Sequence, residues 1–214
     1  MKNKKLKIIL GCTVIAVVAV FALMVAKGIV VFDHSAERGF ENSIKWKGVT
    51  YVPVSGKYHE GKTVAKTKDG LDINEVEGDD SHTFLVVRSF LDQWLVVRDD
   101  YEIPKSGEIT KAYWSYQFIE DEEFLKSLEE MINKVRPDFE YDLQGKGIYE
   151  HTDRQNMKEL YIAFEGCTVP TVYLGYMGTI DGKLYLTTGK CYNDTVYCYT
   201  IPEEYASVFE SYLS

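Results

Sequence analysis

The sequence predicts an α+β protein: mainly antiparallel β-sheet with one long packed helix and a short C-terminal helix, preceded by an N-terminal transmembrane helix. Three observations carry that prediction. An unbroken apolar run opens the chain, β-rich segments separated by turn residues fill most of the remainder, and a single interior stretch has helical spacing.

From Ile8 to Ala26 no charged residue, Asn, Gln or Pro occurs. A helix of that length covers roughly 28 Å at 1.5 Å per residue, close to the ~30 Å hydrocarbon core of a bilayer. Lys2, Lys4, Lys5 and Lys7 lie ahead of it. This excess of positive charge keeps residues 1–7 in the cytoplasm as a basic tail and sends the rest outside, making Ile8–Ala26 a signal anchor in contact with the lipid bilayer. Two other fates share the segment. Gly11-Cys12 has the look of a lipidation site, but most of the apolar run follows the cysteine, and Cys12 reads more simply as a small apolar helix residue. Val20-Phe21-Ala22 would suit a signal peptidase and yield a secreted chain, whereas the long uninterrupted span favours a retained anchor.

Residues 27–43 read as a stem of mixed polarity, and residues 44–214 as one extracytoplasmic α+β domain. In order, "SIKWKGVTYVPV" reads as a strand, and Asp69-Gly70 as the turn of a hairpin. Thr83–Arg88 and Trp94–Arg98 are apolar enough to be central strands, and "EITKAYWSYQF" alternates as one further strand. In "EDEEFLKSLEEMINKVRPDF" the apolar residues Phe124, Leu125, Leu128, Met131, Ile132 and Val135 recur at helical spacing. Acids crowd the first turn, Lys134 and Arg136 the last, and Pro137 stops the helix. Strands resume in "GKGIYEH", "KELYIAFEG", "TVYLGYMGTI", "KLYLTTG" and "TVYCYTI", with Asp181-Gly182 as a second turn signal. Pro202 opens a short terminal helix reaching about Tyr212. Thr67, Asp69, Gly70 and Thr83 match Thr179, Asp181, Gly182 and Thr195 at a constant offset of 112, an echo that two hairpins with the same turn chemistry would produce without duplication.

The chain has 24 basic and 33 acidic residues. With the five lysines up to Lys27 set aside, 19 basic residues face all 33 acids, a net charge near −14 beyond the anchor. Such a body is repelled by phosphate backbones, so nucleic acid is excluded as a partner, and another protein or a cationic ligand at the cell envelope is expected instead. All 16 tyrosines and all three tryptophans lie beyond the anchor, as half-buried sheet faces and binding faces both require.

Three cysteines remain outside the anchor: Cys167, Cys191 and Cys198. If Asn193 to Val196 form a loop, Cys191 lies opposite Cys198 near bridging distance; a bridge from Cys167 to either, or three free thiols, are the alternatives. The acidic run "DINEVEGDDSH" fails the calcium-loop pattern, because Glu77 stands where glycine is needed, and reads as a solvated hairpin tip. His34, His59, His82 and His151 are scattered singly. No catalytic, cofactor-binding or metal-binding residue is therefore assigned, and no cofactor is expected.

One resemblance bears on chemistry. With an anchored chain of this size, "LYLTTGKCYNDTVYCYTI" resembles the sortases, cysteine transpeptidases of Gram-positive surfaces. It implies a membrane-tethered transferase with Cys191 as nucleophile and His82 as its partner. The family's arginine after the cysteine has no counterpart, since the last arginine is Arg154. The leading reading is a membrane-anchored binding or interaction domain. The alternative is a tethered extracytoplasmic enzyme, a hydrolase or such a cysteine-dependent transferase.

Overall fold

A computed structural model describes residues 2–26, 33–134, 139–142, 157–180, 182–188 and 195–213, with side chains over 13–25, 33–133, 157–179, 182–187 and 199–213. It is a mixed α+β structure of antiparallel sheets with three described helices. The chain clusters into two compact units, residues 1–54 with 59–101, and residues 55–58 with 102–214.

The first helix, α1, runs from Lys2 to Ala26. Val14, Ile15, Val17, Val18, Val20 and Leu23 are all exposed on it. At 100° per residue these positions fall on every side of the helix, so no single face is set against the body. Among the described residues no helix is long and apolar enough to cross a membrane.

The first unit is a sheet of the strands β1 (Glu37–Arg38), β2 (Ile44–Trp46), β3 (Val49–Val54), β4 (Glu60–Lys66), β5 (Asp72–Val76), β6 (Phe84–Arg88) and β7 (Gln93–Arg98), in the order β1-β2-β3-β7-β6-β5-β4. The single strand expected over 43–54 is a hairpin. Lys47 and Gly48 both take left-handed φ (49° and 82°), which reverses the chain in two residues as a right-twisted hairpin prefers. The hairpin expected at Asp69-Gly70 joins β4 to β5, and Gly70 (φ 93°) supplies the conformation that a side chain resists. β6 is buried on both faces, hence its continuous Phe-Leu-Val-Val run.

The two edges of this sheet meet. Ala36 bridges Thr67 in parallel, and the Lys66 amide donates to the Asp33 carbonyl at 2.8 Å. Asp33 also accepts the Trp46 indole N–H at 3.0 Å and the amide and hydroxyl of Ser35. Residues 33–43, expected in the stem, are thus built into the unit: they close a barrel around Ile44, Trp46, Tyr51, Ala65, Ile73, Leu85, Val87 and Val96. Closure also explains why stem sequence without strand periodicity is ordered, since Ala36 is small enough to sit fully buried at the seam.

The second unit holds β8 (Ile109–Trp114), β9 (Gln117–Ile119), α2 (Glu122–Lys134), β10 (Phe139–Asp142), β11 (Met157–Phe164), β12 (Val172–Ile180), β13 (Lys183–Thr188), β14 (Thr195–Thr200) and α3 (Glu203–Glu210). Its sheet order is β10-β14-β13-β12-β11-β8-β9. α2 begins as expected, with the Asp121 carboxylate capping the Phe124 amide at 2.9 Å. α2 and α3 cover one face of the sheet. Trp114, Phe124, Leu128, Met131, Leu160, Ile162, Met177, Leu184 and Phe209 form the core there, and the Trp114 indole donates to the Met177 carbonyl at 2.9 Å. The "GKGIYEH" stretch lies outside the described residues, and β10 is a strand that the sequence reading left unassigned.

β3 to β7 and β10 to β14 share one order, with the first strand beside the last and the others returning as a meander. The echo at offset 112 does not follow this correspondence. It matches the β4–β5 turn to the β12–β13 turn, one hairpin out of step.

Candidate functional site

The sheet face of the second unit that turns away from α2 and α3 carries tyrosines. Pairing sets Tyr161 on β11 directly between Tyr113 on β8 and Tyr173 on β12. Phe118 on β9 continues the row beside Tyr113, and Tyr176 lies beside Glu159 in the next register. The rings touch edgewise or tilted: Tyr113–Phe118 centroids are 5.1 Å apart, Tyr161–Tyr173 5.1 Å and Tyr173–Tyr176 6.0 Å. The row follows from alternation. Ala112, Trp114, Leu160 and Ile162 go to the core, which sends Tyr113, Glu159 and Tyr161 to the opposite side.

Lys57 stands over this face. Its ammonium is 5.3 Å from the Tyr113 ring centre and 5.0 Å from that of Tyr161, and it donates to the Glu159 carboxylate at 2.5 Å. The Lys57 amide donates to the Pro170 carbonyl at 3.0 Å, which fixes the backbone from which the side chain reaches. Burial alone would pull the Lys57 pKa down, but the Glu159 hydrogen bond and charge, helped by Tyr161 and Tyr113, leave it above the usual lysine value. The Tyr161 hydroxyl is pushed up by burial and by Glu159, against Lys57.

A second cation closes the rim: Lys158 lies 4.9 Å over the Tyr116 ring. Tyr116 and Ser115 make the β8–β9 turn, both in left-handed conformation (φ 64° and 51°). The single strand expected over 108–118 is therefore a hairpin. Without a glycine it gives no sequence signal, and two residues with side chains there cost about 1–2 kcal/mol each. That strain holds an exposed tyrosine at the edge of the site. Lys57, Tyr113, Tyr116, Met157, Lys158, Glu159 and Tyr176 together line an open cleft of about 210 Å³. Phenol faces, ammonium groups and one carboxylate suit recognition of a group with an apolar flat side and a polar edge.

The residues singled out by sequence lie elsewhere. His82 is in the first unit, with φ 53°, its ring edge-on to Trp46 at 5.5 Å and its Nε2 3.8 Å from Glu75. Cys191 and His151 lie outside the described residues. Cys198 pairs with Thr187 on β13 and with Phe139 on β10, and the Cys191 expected opposite it lies outside the described residues. Cys167 is buried and free, with its thiol on the Val169 carbonyl at 3.2 Å. The acidic run is not simply a solvated tip: Asp72 to Val76 is strand, and Asp79 is buried, accepting from the Phe84 amide and the Ser81 hydroxyl at 2.6 Å each. No group of three or more His, Cys, Asp or Glu residues with a metal-holding arrangement occurs among the described residues. The cleft escaped the sequence reading because Lys57 and Glu159 are 102 positions apart; only the tyrosine content hinted at it.

No family model, no curated protein and no solved structure matches the chain.

Proposed function

We propose that the chain is a single-pass membrane protein, N-terminus cytoplasmic, whose acidic extracytoplasmic body binds a partner protein through the tyrosine face of its second unit. The observation that carries the binding reading is the placement of Lys57 over Tyr113 and Tyr161, paired to Glu159, in an open cleft. Half-buried tyrosines are what protein interfaces concentrate at their anchoring points, with polar groups around them. The membrane reading rests on Ile8–Ala26, an apolar run within a helix whose side chains over 13–23 are exposed on every side, behind a lysine-rich tail. An all-round apolar helix with no core to enter is stable in lipid and not in water.

Photo-crosslinking on intact native cells tests the binding face. A photoreactive residue at Tyr116 should give a discrete adduct that Tyr161→Ala abolishes, while the same probe at Asp80 in the first unit gives none. Identical adduct patterns at the two positions, or an adduct indifferent to Tyr161→Ala, would rule the face out.

A further inference from the structure

One rim of the barrel presents large apolar side chains to solvent. The β6–β7 turn carries Phe90 and Leu91 at 100% and 89% exposure, and the short helical turn at Phe40–Asn42 carries Phe40 at 84%. Neither is a loose loop. The Ser89 amide donates to the Asp92 carbonyl at 2.8 Å, and the Ser89 hydroxyl accepts from the Asp92 amide at 2.9 Å. The Trp94 indole donates to the Asn42 carbonyl at 3.0 Å, tying the two turns to one rim. Register puts both there: Arg88 pairs with Gln93 at the end of the β6–β7 hairpin, and residues 40–42 precede Ile44 on the strand pairing with β3. The opposite rim, after Val76 and after Arg98, carries exposed Glu77, Asp80, Asp99 and Asp100.

We infer that the Phe40–Phe90–Leu91 rim rests in the headgroup region of the same bilayer that holds α1, so that the barrel stands on the membrane with its acidic rim outward. This rests on the anchored reading above, and three facts lead to it. The tether is short: from Ala26 to Asp33, which is fixed at the barrel seam, seven residue steps span at most about 25 Å. A barrel leashed that closely stays within reach of the lipid surface. The rims differ in kind: beside its apolar side chains the Phe40–Phe90–Leu91 rim has exposed Glu41 and Asp92 offset by Arg38 and Arg88, whereas the other carries Glu77, Asp80, Asp99 and Asp100 in excess over Lys47 and Arg98, and carboxylates resist both desolvation and anionic headgroups. Finally, a well-bonded turn holding a Phe-Leu pair fully in water leaves apolar area unburied that lipid would cover.

The full chain, reconstituted in phosphatidylcholine–phosphatidylglycerol vesicles, provides the test. An environment-sensitive fluorescent amino acid is placed at Phe90 in one preparation and at Asp80 in another. Emission at 90 should shift to the blue and fall at least twofold when brominated acyl chains replace normal ones, with no change at 80. Chain that stays with the vesicles through carbonate washing but shows equal, unquenched emission at both sites would overturn the rim contact alone. Chain that washes off would overturn the anchor, and the rim contact with it.

Discussion

The Lys57 ammonium lies 2.5 Å from the Glu159 carboxylate and spans the rings of Tyr113 and Tyr161, so one side chain joins the neighbouring strands β8 and β11 of the second unit. Both partners keep about a third of their side-chain area in solvent, and screening limits the ion pair to about 1 kcal/mol. Glu159→Ala should lower the unfolding free energy of the second unit by about that amount in urea titrations, and Glu159→Gln by less. A loss no larger than that of an exposed control, Glu165→Ala, would show that the pair has no role.

Its pH dependence has a definite sign. The folded Lys57 value stands above the unfolded 10.5, so the contribution is complete below pH 10.5 and disappears as pH rises through the folded value. Wild-type and Lys57→Met chains should therefore differ in stability at pH 8 and converge in strong alkali.

The barrel seam is acid-sensitive. Hydrogen bonds from Ser35 and from the Trp46 indole hold the Asp33 carboxyl below its usual 3.8. Stability from Asp33 is present above pH 3.8 and is lost as pH falls through the lower folded value. Asp33→Asn should weaken the first unit at neutral pH by about 1 kcal/mol, the worth of a charge-assisted hydrogen bond on a mostly hydrated group. Hydrogen exchange at the Lys66 amide, bonded to the Asp33 carbonyl, should speed up in that variant.

Asn74 is 1% exposed, donates to the Glu60 carboxylate, and leaves its own amide oxygen without a hydrogen-bond partner. Asn74→Asp would bury a second carboxylate against Glu60, which keeps 24% of its side-chain area in solvent and is paired to Arg88 at 3.2 Å. A loss of about 2–4 kcal/mol at pH 7 is expected, shrinking as acid protonates the new carboxyl. Thermal unfolding at pH 7 and pH 5 measures both parts.

Trp114 anchors the second core, stacked near Phe124 and bonded to the Met177 carbonyl. Trp114→Ala should cost about 3–5 kcal/mol, and Trp114→Phe about 1–3 kcal/mol, because the Met177 carbonyl would keep its burial and lose its donor.

Much of the fold was legible in the sequence because alternation and turn chemistry act locally. β4 and β5 around Gly70, the apolar β6 and β7, and α2 with its Asp121 cap all follow from neighbouring residues. The failures have physical causes as well. Lys47-Gly48 and Ser115-Tyr116 turn the chain inside segments whose flanking alternation is unbroken, and only Gly48 gave a local cue. Residues 33–38 are ordered by pairing across the seam with β4, which no window of sequence contains. Of the site, the tyrosine excess was visible and the cleft was not. Its geometry depends on the lateral alignment of Tyr113, Tyr161 and Tyr173, which arises only when β8, β11 and β12 pair.

Topology across the membrane is the most direct test of the whole reading. Full-length chain with a C-terminal epitope, in native cells, should remain in the pellet after alkaline carbonate extraction, keep Met1 to Ala26 in its mature form, and lose the epitope to protease added outside intact cells. Release into the carbonate supernatant, a mature N-terminus near Leu23, or an epitope shielded until the cells are opened would contradict it.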